Sequence, residues 1–470
     1  MAVIEILPKA LELLKPSLDE RVRIESSLNE FLEKLRNCIK NLNLNLDVEI
    51  EGSIAKDTWL SKEQDIDVFV LFPKRFNKDD FKNIILSLTK CVVGDNFVEA
   101  YAEHPYVELY YNGLKIDLVP CFKLSSVNEA KSSVDRTPFH TMYIKSNLTD
   151  NLKDEIRLLK GFMKGIGCYG AEIKVRGFSG YLCELLVLHY GSFINVVRNA
   201  IEWKPYNTFI DIEGYYNDIG EAIKLFNAPL IVIDPVDKNR NVAAALSIES
   251  MSKFILASRI FMESPNLEFF FPKPVEPLSK DKLTEEIKTR GSDLIFIITE
   301  CPKVHSEILW GQLHKSVDGL KNLISNSGFK VINYDVWSNE ENLAIFIFEL
   351  ESAKLPKIKR HVGPPIFIKS EVKKFLNKYV HSPTIFSGPK IEGSNCVVYV
   401  KRKYTDVKQL LLEQIFSAKL GSLIRSSLKN KCIILQNEEI IDLYSSNLDF
   451  SIFLTNFLKT FYPWLIKIDM

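Results

Sequence analysis

The chain has 470 residues, 46% hydrophobic and 11% aromatic, a composition that fits an ordinary globular protein with packed cores and about three domains. Its 60 Lys and Arg balance 60 Asp and Glu, so composition alone does not point to nucleic acid; such a partner would require the basic residues to be segregated onto one face. The longest apolar runs (Val68–Phe72, Leu294–Ile298, Leu343–Phe348) are strand-length and exclude a membrane span, and eight dispersed cysteines without a CxxC pair argue for a reducing cytoplasm and against zinc or a disulfide framework.

The first twenty residues carry early acidic groups and a helical pattern, unlike a targeting peptide. Ser17-Leu18-Asp19-Glu20 is a capping signature that opens one amphipathic helix reaching about Leu42. Acid-bearing strands follow, then a helix from Asn77 to about Thr89 that would pack on their sheet, and this first unit closes in the loop Ser125–Lys131. Beyond Thr149 the pattern is helical, over Asp154–Lys164, Ser179–Ser192 and Ile219–Phe226. Phe271–Leu283, with three prolines and alternating charge, reads as a linker.

After the linker come a strand at Asp293–Ile298, a helix at His305–Ser325, and strands at Lys330–Trp337 and Leu343–Leu350. A further strand at Cys396–Lys401 and a helix at Thr405–Phe416 complete a βαββ-plus-strand order of the ferredoxin or RNA-recognition type. Between them Lys354–Pro389 reads as an insert, and Phe453–Tyr462 as a last helix stopped by Pro463. The fold class is therefore α+β and multidomain, divided at 1–148, 149–270 and 284–470.

The chemistry is concentrated in EGSIAKDTWLSKEQDIDVFVLFP, residues 51–73. Asp65-Ile66-Asp67 begins a β-branched and aromatic run, so the two carboxylates share a strand face about 6.7 Å apart. Side by side they repel unless a cation sits between them, and hard divalent ions favour such oxygen ligands. Upstream, Gly52-Ser53 supplies a turn whose backbone N–H groups and hydroxyl can approach a polyphosphate. Asp117, in the strand-like GLKIDLVP, is the natural third ligand for a two-metal site. Asp65, Asp67 and Asp117 are thus the candidate catalytic and metal-binding residues.

These motifs, with AEHPYVE (Ala102–Glu108), KIDLVPCFKL (Lys115–Leu124), SVDRTPFH (Ser133–His140), Glu155–Leu186 and IDPVDKNRNVAAALS (Ile233–Ser247), resemble the archaeal class I CCA-adding tRNA nucleotidyltransferases of the polymerase-β superfamily. The resemblance is dense over the first ~270 residues and thin thereafter, where backbone-contacting domains tolerate change. It implies a polymerase-β-like catalytic head, a helical nucleotide-binding second domain, and a ferredoxin/RRM-like body with a C-terminal tail. The implied activity is template-independent addition and repair of the 3′-CCA end of tRNA from CTP and ATP with Mg²⁺. A poly(A) polymerase or an oligoadenylate synthetase, using ATP alone, is the rival reading.

The same resemblance assigns nucleotide contacts to Ser53, Lys56, His140, Lys160, Tyr169 and Arg240, the last meeting the incoming base. The family often has Glu where Asp65 stands and Arg where Lys56 stands. It further implies recognition of the acceptor and TΨC arm, and pairing into a homodimer. With a net charge of zero, RNA binding calls for a basic stripe from Lys160 and Arg176 past Arg240. Phe269-Phe270-Phe271 reads as core rather than as a stacking surface for bases.

Overall fold

The structure is a computed structural model that describes residues 3–63, 65–101, 105–459 and 462–465. It divides into two compact units, Met1–Pro274 with Phe461–Met470, and Val275–Thr460. Among the described residues no single helix is long and apolar enough to cross a membrane.

The head of the first unit is a five-stranded sheet of β1 (Asp47–Glu51), β2 (Asp65–Phe72), β3 (Phe97–Tyr101), β4 (Pro105–Tyr111) and β5 (Leu114–Phe122), ordered β1-β2-β5-β4-β3. Pairing is antiparallel except between β2 and β5. Alternation along β2 sets the site. Ile66, Val68, Val70 and Phe72 enter the core with Ile116 and Leu118, against Phe31 and Leu35 of the helix Leu18–Asn41 and Phe81 and Ile85 of the helix Lys78–Val93. Asp65 and Asp67 are thereby turned to the opposite face. Both helices begin as the sequence predicts, in reciprocal caps of Ser17 with Glu20 and of Asn77 with Asp80.

One expectation fails here. Cys38 and Cys91 form a disulfide that joins those two helices, with Cα atoms 6.1 Å apart. The pair is separated by 53 residues in sequence. Spacing therefore gave no hint of it; only the packing of both helices on one sheet face makes them neighbours.

The rest of the first unit is built around Phe162 of the helix Asp150–Gly165. Its ring stacks on Phe269 and meets Phe193, Phe254, Phe261 and Phe270. Phe269 and Phe270 are therefore core, as read from sequence, while Phe271 is more than one-third exposed. This part is not wholly helical: β6 (Thr208–Ile210), β7 (Leu230–Asp234) and β8 (Asp237–Asn241) form a small sheet. Trp464, assigned with the body on sequence, instead stacks on Phe269 in this core.

In the second unit β9 (Asp293–Glu300), the helix Ser306–Asn326, β10 (Val331–Ser338) and β11 (Leu343–Leu350) form the expected βαββ. Their sheet, ordered β10-β11-β9-β15 and antiparallel throughout, has the ferredoxin-like arrangement. The long apolar runs are explained by burial on both faces. Ile295 and Ile297 pack with the helix Ser306–Asn326, while Leu294, Phe296 and Ile298 pack with the helix Leu448–Lys459.

The fourth strand is a correction. It is β15 (Ile433–Gln436), not Cys396–Lys401. The latter belongs to β14 (Asn395–Lys401), which pairs with β12 (Ile358–Pro365) and β13 (Ile385–Glu392) in a separate sheet covered by the helix Lys369–Tyr379. The insert Lys354–Pro389 is thus largely ordered structure. Its Pro and charge content hid strands in which no residue is fully buried.

Candidate active site

Strand register assembles the carboxylates. Asp67 of β2 is directly opposite Asp117 of β5 on one side and Glu51 of β1 on the other, and Asp117 is opposite Glu108 of β4. Directly opposed residues share a face, with adjacent strands about 4.8 Å apart. Four strands therefore lay Glu51, Asp67, Asp117 and Glu108 in one row, with Asp65 one pleat along β2. Asp67 and Asp117 are brought together as the sequence reading requires.

The row is electrostatically unbalanced. Burial pushes the Asp117 carboxyl up to about 7, with Lys115 pulling it down and Asp67 adding repulsion. Burial likewise raises Glu51 to about 7 and raises Asp67. Asp117 Oδ1 and Glu51 Oε2 are buried without a hydrogen-bond partner. Orphaned carboxylate oxygens of this kind carry a desolvation cost that a cation would remove. Among the described residues no three acidic or imidazole side chains already converge on one point. The donor set, carboxylate oxygens on neighbouring strands, is the one a hard divalent ion favours.

The Gly52-Ser53 turn is pressed against this row. Gly52 begins the short helix Gly52–Lys56 with φ +67, and a Cβ on it would lie 2.0 Å from Asp67 Oδ2. Only glycine satisfies both the backbone conformation and the approach. Ser53, Asp65, Asp67 and Tyr169 line one cleft of about 490 Å³, together with Lys164, Glu63 and Glu172. The Tyr169 hydroxyl and Lys160 Nζ both lie over Gly180, 3.0 and 3.7 Å from where its Cβ would stand.

Lys56 and Lys160 sit in a buried ion cluster. Glu184 accepts from Lys56 Nζ at 2.6 Å, from Lys160 Nζ at 3.0 Å and from the Thr58 hydroxyl at 2.7 Å. The two lysines hold the Glu184 carboxyl down at about 2 against the opposing effect of complete burial. Lys160 is 1% exposed, so it cannot belong to the surface basic stripe expected from sequence. Arg136, Arg176 and Arg240 do share a surface cavity of about 990 Å³.

His140 and Arg240 form a third group, gathered by Asp234 at the end of β7. Arg240 Nη1 donates to Asp234 Oδ2 at 2.7 Å, His140 Nε2 is 2.8 Å from the same oxygen, and the Tyr181 hydroxyl donates to Oδ1 at 3.1 Å. Burial lowers the His140 pKa below its usual 6.5, with the hydrogen bond to Asp234 acting in the opposite direction. Tyr181 stacks on His140 at 4.2 Å and lies 5.9 Å from Lys56 Nζ, which links this group to the lysine cluster.

Glu51, Glu184 and Asp234 escaped the sequence reading. Glu184 had a signal, as the one acid in the apolar helix GYLCELLVLHY, and Asp234 had one too, ending the apolar run LIVID. Glu51 had none until register placed it opposite Asp67.

A phosphate-type turn set against an Asp-x-Asp strand, with a third Asp on the parallel neighbour, defines a nucleotidyltransferase of the polymerase-β class. Residues 32–140 match the nucleotidyltransferase domain, residues 154–271 the second domain of tRNA nucleotidyltransferase, and residues 290–437 the C-terminal domain of CCA-adding enzyme. The chain belongs to the CCA-adding enzyme family. It is 37% identical to the CCA-adding enzyme of Methanosarcina barkeri over 95% of its own length and 97% of that protein's. It is 39% identical to the one from Methanothermobacter thermautotrophicus, over 78% and 80% of the two chains. A solved structure of the Cid1 poly(U) polymerase aligns at 17% identity with a TM-score of 0.43, covering 57% of this chain and 95% of that one. Enzymes of the nucleotidyltransferase fold use divalent metal ions.

Proposed function

We propose that this protein adds and repairs the 3′-terminal CCA of tRNA from CTP and ATP, without a nucleic-acid template, by attack of the tRNA 3′-hydroxyl on the nucleotide α-phosphate. The observation that carries the reading is the opposition of Asp67 and Asp117 beside the Gly52 turn, in a chain that matches CCA-adding relatives along most of its length. Asp65, Asp67 and Asp117 would hold the divalent ions, which we take to be Mg²⁺. When bound, such ions would lower the pKa of the attacking hydroxyl and neutralise charge on the departing pyrophosphate.

The chain's own groups do the remainder. Ser53 and the backbone of its turn orient the triphosphate, with Tyr169 lining the same cleft. Lys56 and Lys160 supply positive field, fixed in place by Glu184. Asp234 presets His140 and Arg240, and Arg240 retains enough exposure, 32% of its side chain, to meet a base. The division of labour we infer is catalysis by residues 1–148, nucleotide contact by 149–270 and tRNA contact by 284–470. Action in the cytoplasm, a homodimeric state and contact with the acceptor and TΨC arm belong to the same reading.

The test is incubation with tRNA that lacks its CCA end and each labelled nucleotide in turn. Two cytidines followed by one adenosine is the expected product. Incorporation of ATP alone, on any RNA end, would replace this reading with that of a polyadenylating enzyme.

A further inference from the structure

We propose that Lys115 is a positioning residue that sets how tightly the carboxylate row takes up its divalent cation, an inference that rests on the metal reading above. Lys115 is the direct register partner of Asp65 across the parallel β2–β5 pair and lies one pleat from Asp117 on the same face. Its Nζ is 3.5 Å from Asp65 Oδ1 and 3.9 Å from Glu108 Oε2. Glu108 is in turn the residue opposite Asp117. The row therefore contains a cation of its own, placed at the junction of three carboxylates.

Two consequences follow from that placement. In the metal-free protein the ammonium offsets repulsion among Asp65, Asp117 and Glu108, which would otherwise destabilise directly opposed strands. A divalent ion entering at Asp65 must then displace the ammonium or bear its repulsion at short range. Lysine suits this role because it is a compact charge on a flexible stem, and its side chain is 32% exposed, with space to swing aside. Glu108 remains as a second anchor when Asp65 is taken. Lys115 thus trades places with the metal and raises the cation concentration at which the site fills.

The test is a titration of the full-length protein with Mn²⁺ alone, without nucleotide, followed by the loss of the free-ion EPR signal. Lys115→Gln should bind Mn²⁺ roughly tenfold more tightly than wild type, the low end of the effect of one neighbouring charge on an ionic equilibrium. Lys115→Arg, which keeps the charge, should stay near wild type. The Mg²⁺ concentration giving half-maximal activity should fall by a similar factor in Lys115→Gln. Lys115→Met, which keeps the aliphatic stem, serves if the glutamine variant does not fold. Equal Mn²⁺ affinity in wild type and in the uncharged variants overturns this inference and leaves the metal site standing. Failure of the wild type to bind Mn²⁺ above the level of Asp67→Ala overturns the metal reading, and this inference with it.

Discussion

Asp67 and Asp117 face one another across the parallel strand pair of the head sheet, with no residue of register between them. An arrangement that costs stability when empty and gains it when a cation enters couples folding to metal and to pH.

The sign of that coupling follows from Asp117. Burial raises its carboxyl from the usual 3.8 to about 7, so the folded, metal-free protein keeps a proton that the unfolded chain releases near pH 4. The stability from this group is fully present below about pH 4 and is lost as pH rises to about 7. In the proposed site a divalent cation would take the place of the proton and bind the ionised form. Mg²⁺ should therefore raise the melting temperature more at pH 8 than at pH 5.5, as thermal unfolding with and without Mg²⁺ will show. An equal gain at both pH values would contradict the assignment of Asp117 to the metal.

Glu51 is 2% exposed and its carboxyl is also raised by burial, from 4.5 to about 7. Glu51→Gln removes an ionisable group without changing its size. It should stabilise the metal-free protein by on the order of 3 kcal/mol well above pH 7, with the gain vanishing below about pH 4. Denaturant melts at pH 8.5 and pH 4 give the comparison.

Glu184 neutralises Lys56 and Lys160 within one buried cluster. Glu184→Ala leaves two ammonium groups without a counter-charge, a loss of about 3–5 kcal/mol by analogy with other broken buried pairs. Urea unfolding should place its midpoint far below that of the wild type. A near-wild-type midpoint would mean that the lysines find other anions.

The disulfide Cys38–Cys91 closes a loop of 53 residues, which loop-closure entropy converts to about 4 kcal/mol of head stability. Unfolding with and without a reductant should differ by up to that amount, and Cys38→Ser should match the reduced protein.

Local signals carried much of this structure. The helices and the β2 strand of the head were legible because Ser17, Asn77 and the alternation Ile66, Val68, Val70, Phe72 are short-range features. The candidate ligands Asp65, Asp67 and Asp117 were legible because chemistry and periodicity coincide at them. What remained hidden depends on contacts far apart in sequence. Glu51 becomes part of the row only through strand register, Lys56 and Lys160 become buried only because Glu184 comes from another helix, and Cys38 meets Cys91 only through helix packing. The strands β12 and β13 were missed because basic residues, glycine and proline occupy a lightly buried sheet.

The proposed metal-dependent addition of nucleotides to tRNA depends on the Asp67–Asp117 pair. The direct measurement is CTP and ATP incorporation into tRNA lacking its CCA end by wild type, Asp67→Asn and Asp117→Asn, each first shown to melt as a folded protein. Both variants should lose at least about a thousandfold in rate, the scale of electrostatic and metal stabilisation at a reacting phosphate. Incorporation by either variant within tenfold of the wild type would rule out a catalytic role for that carboxylate.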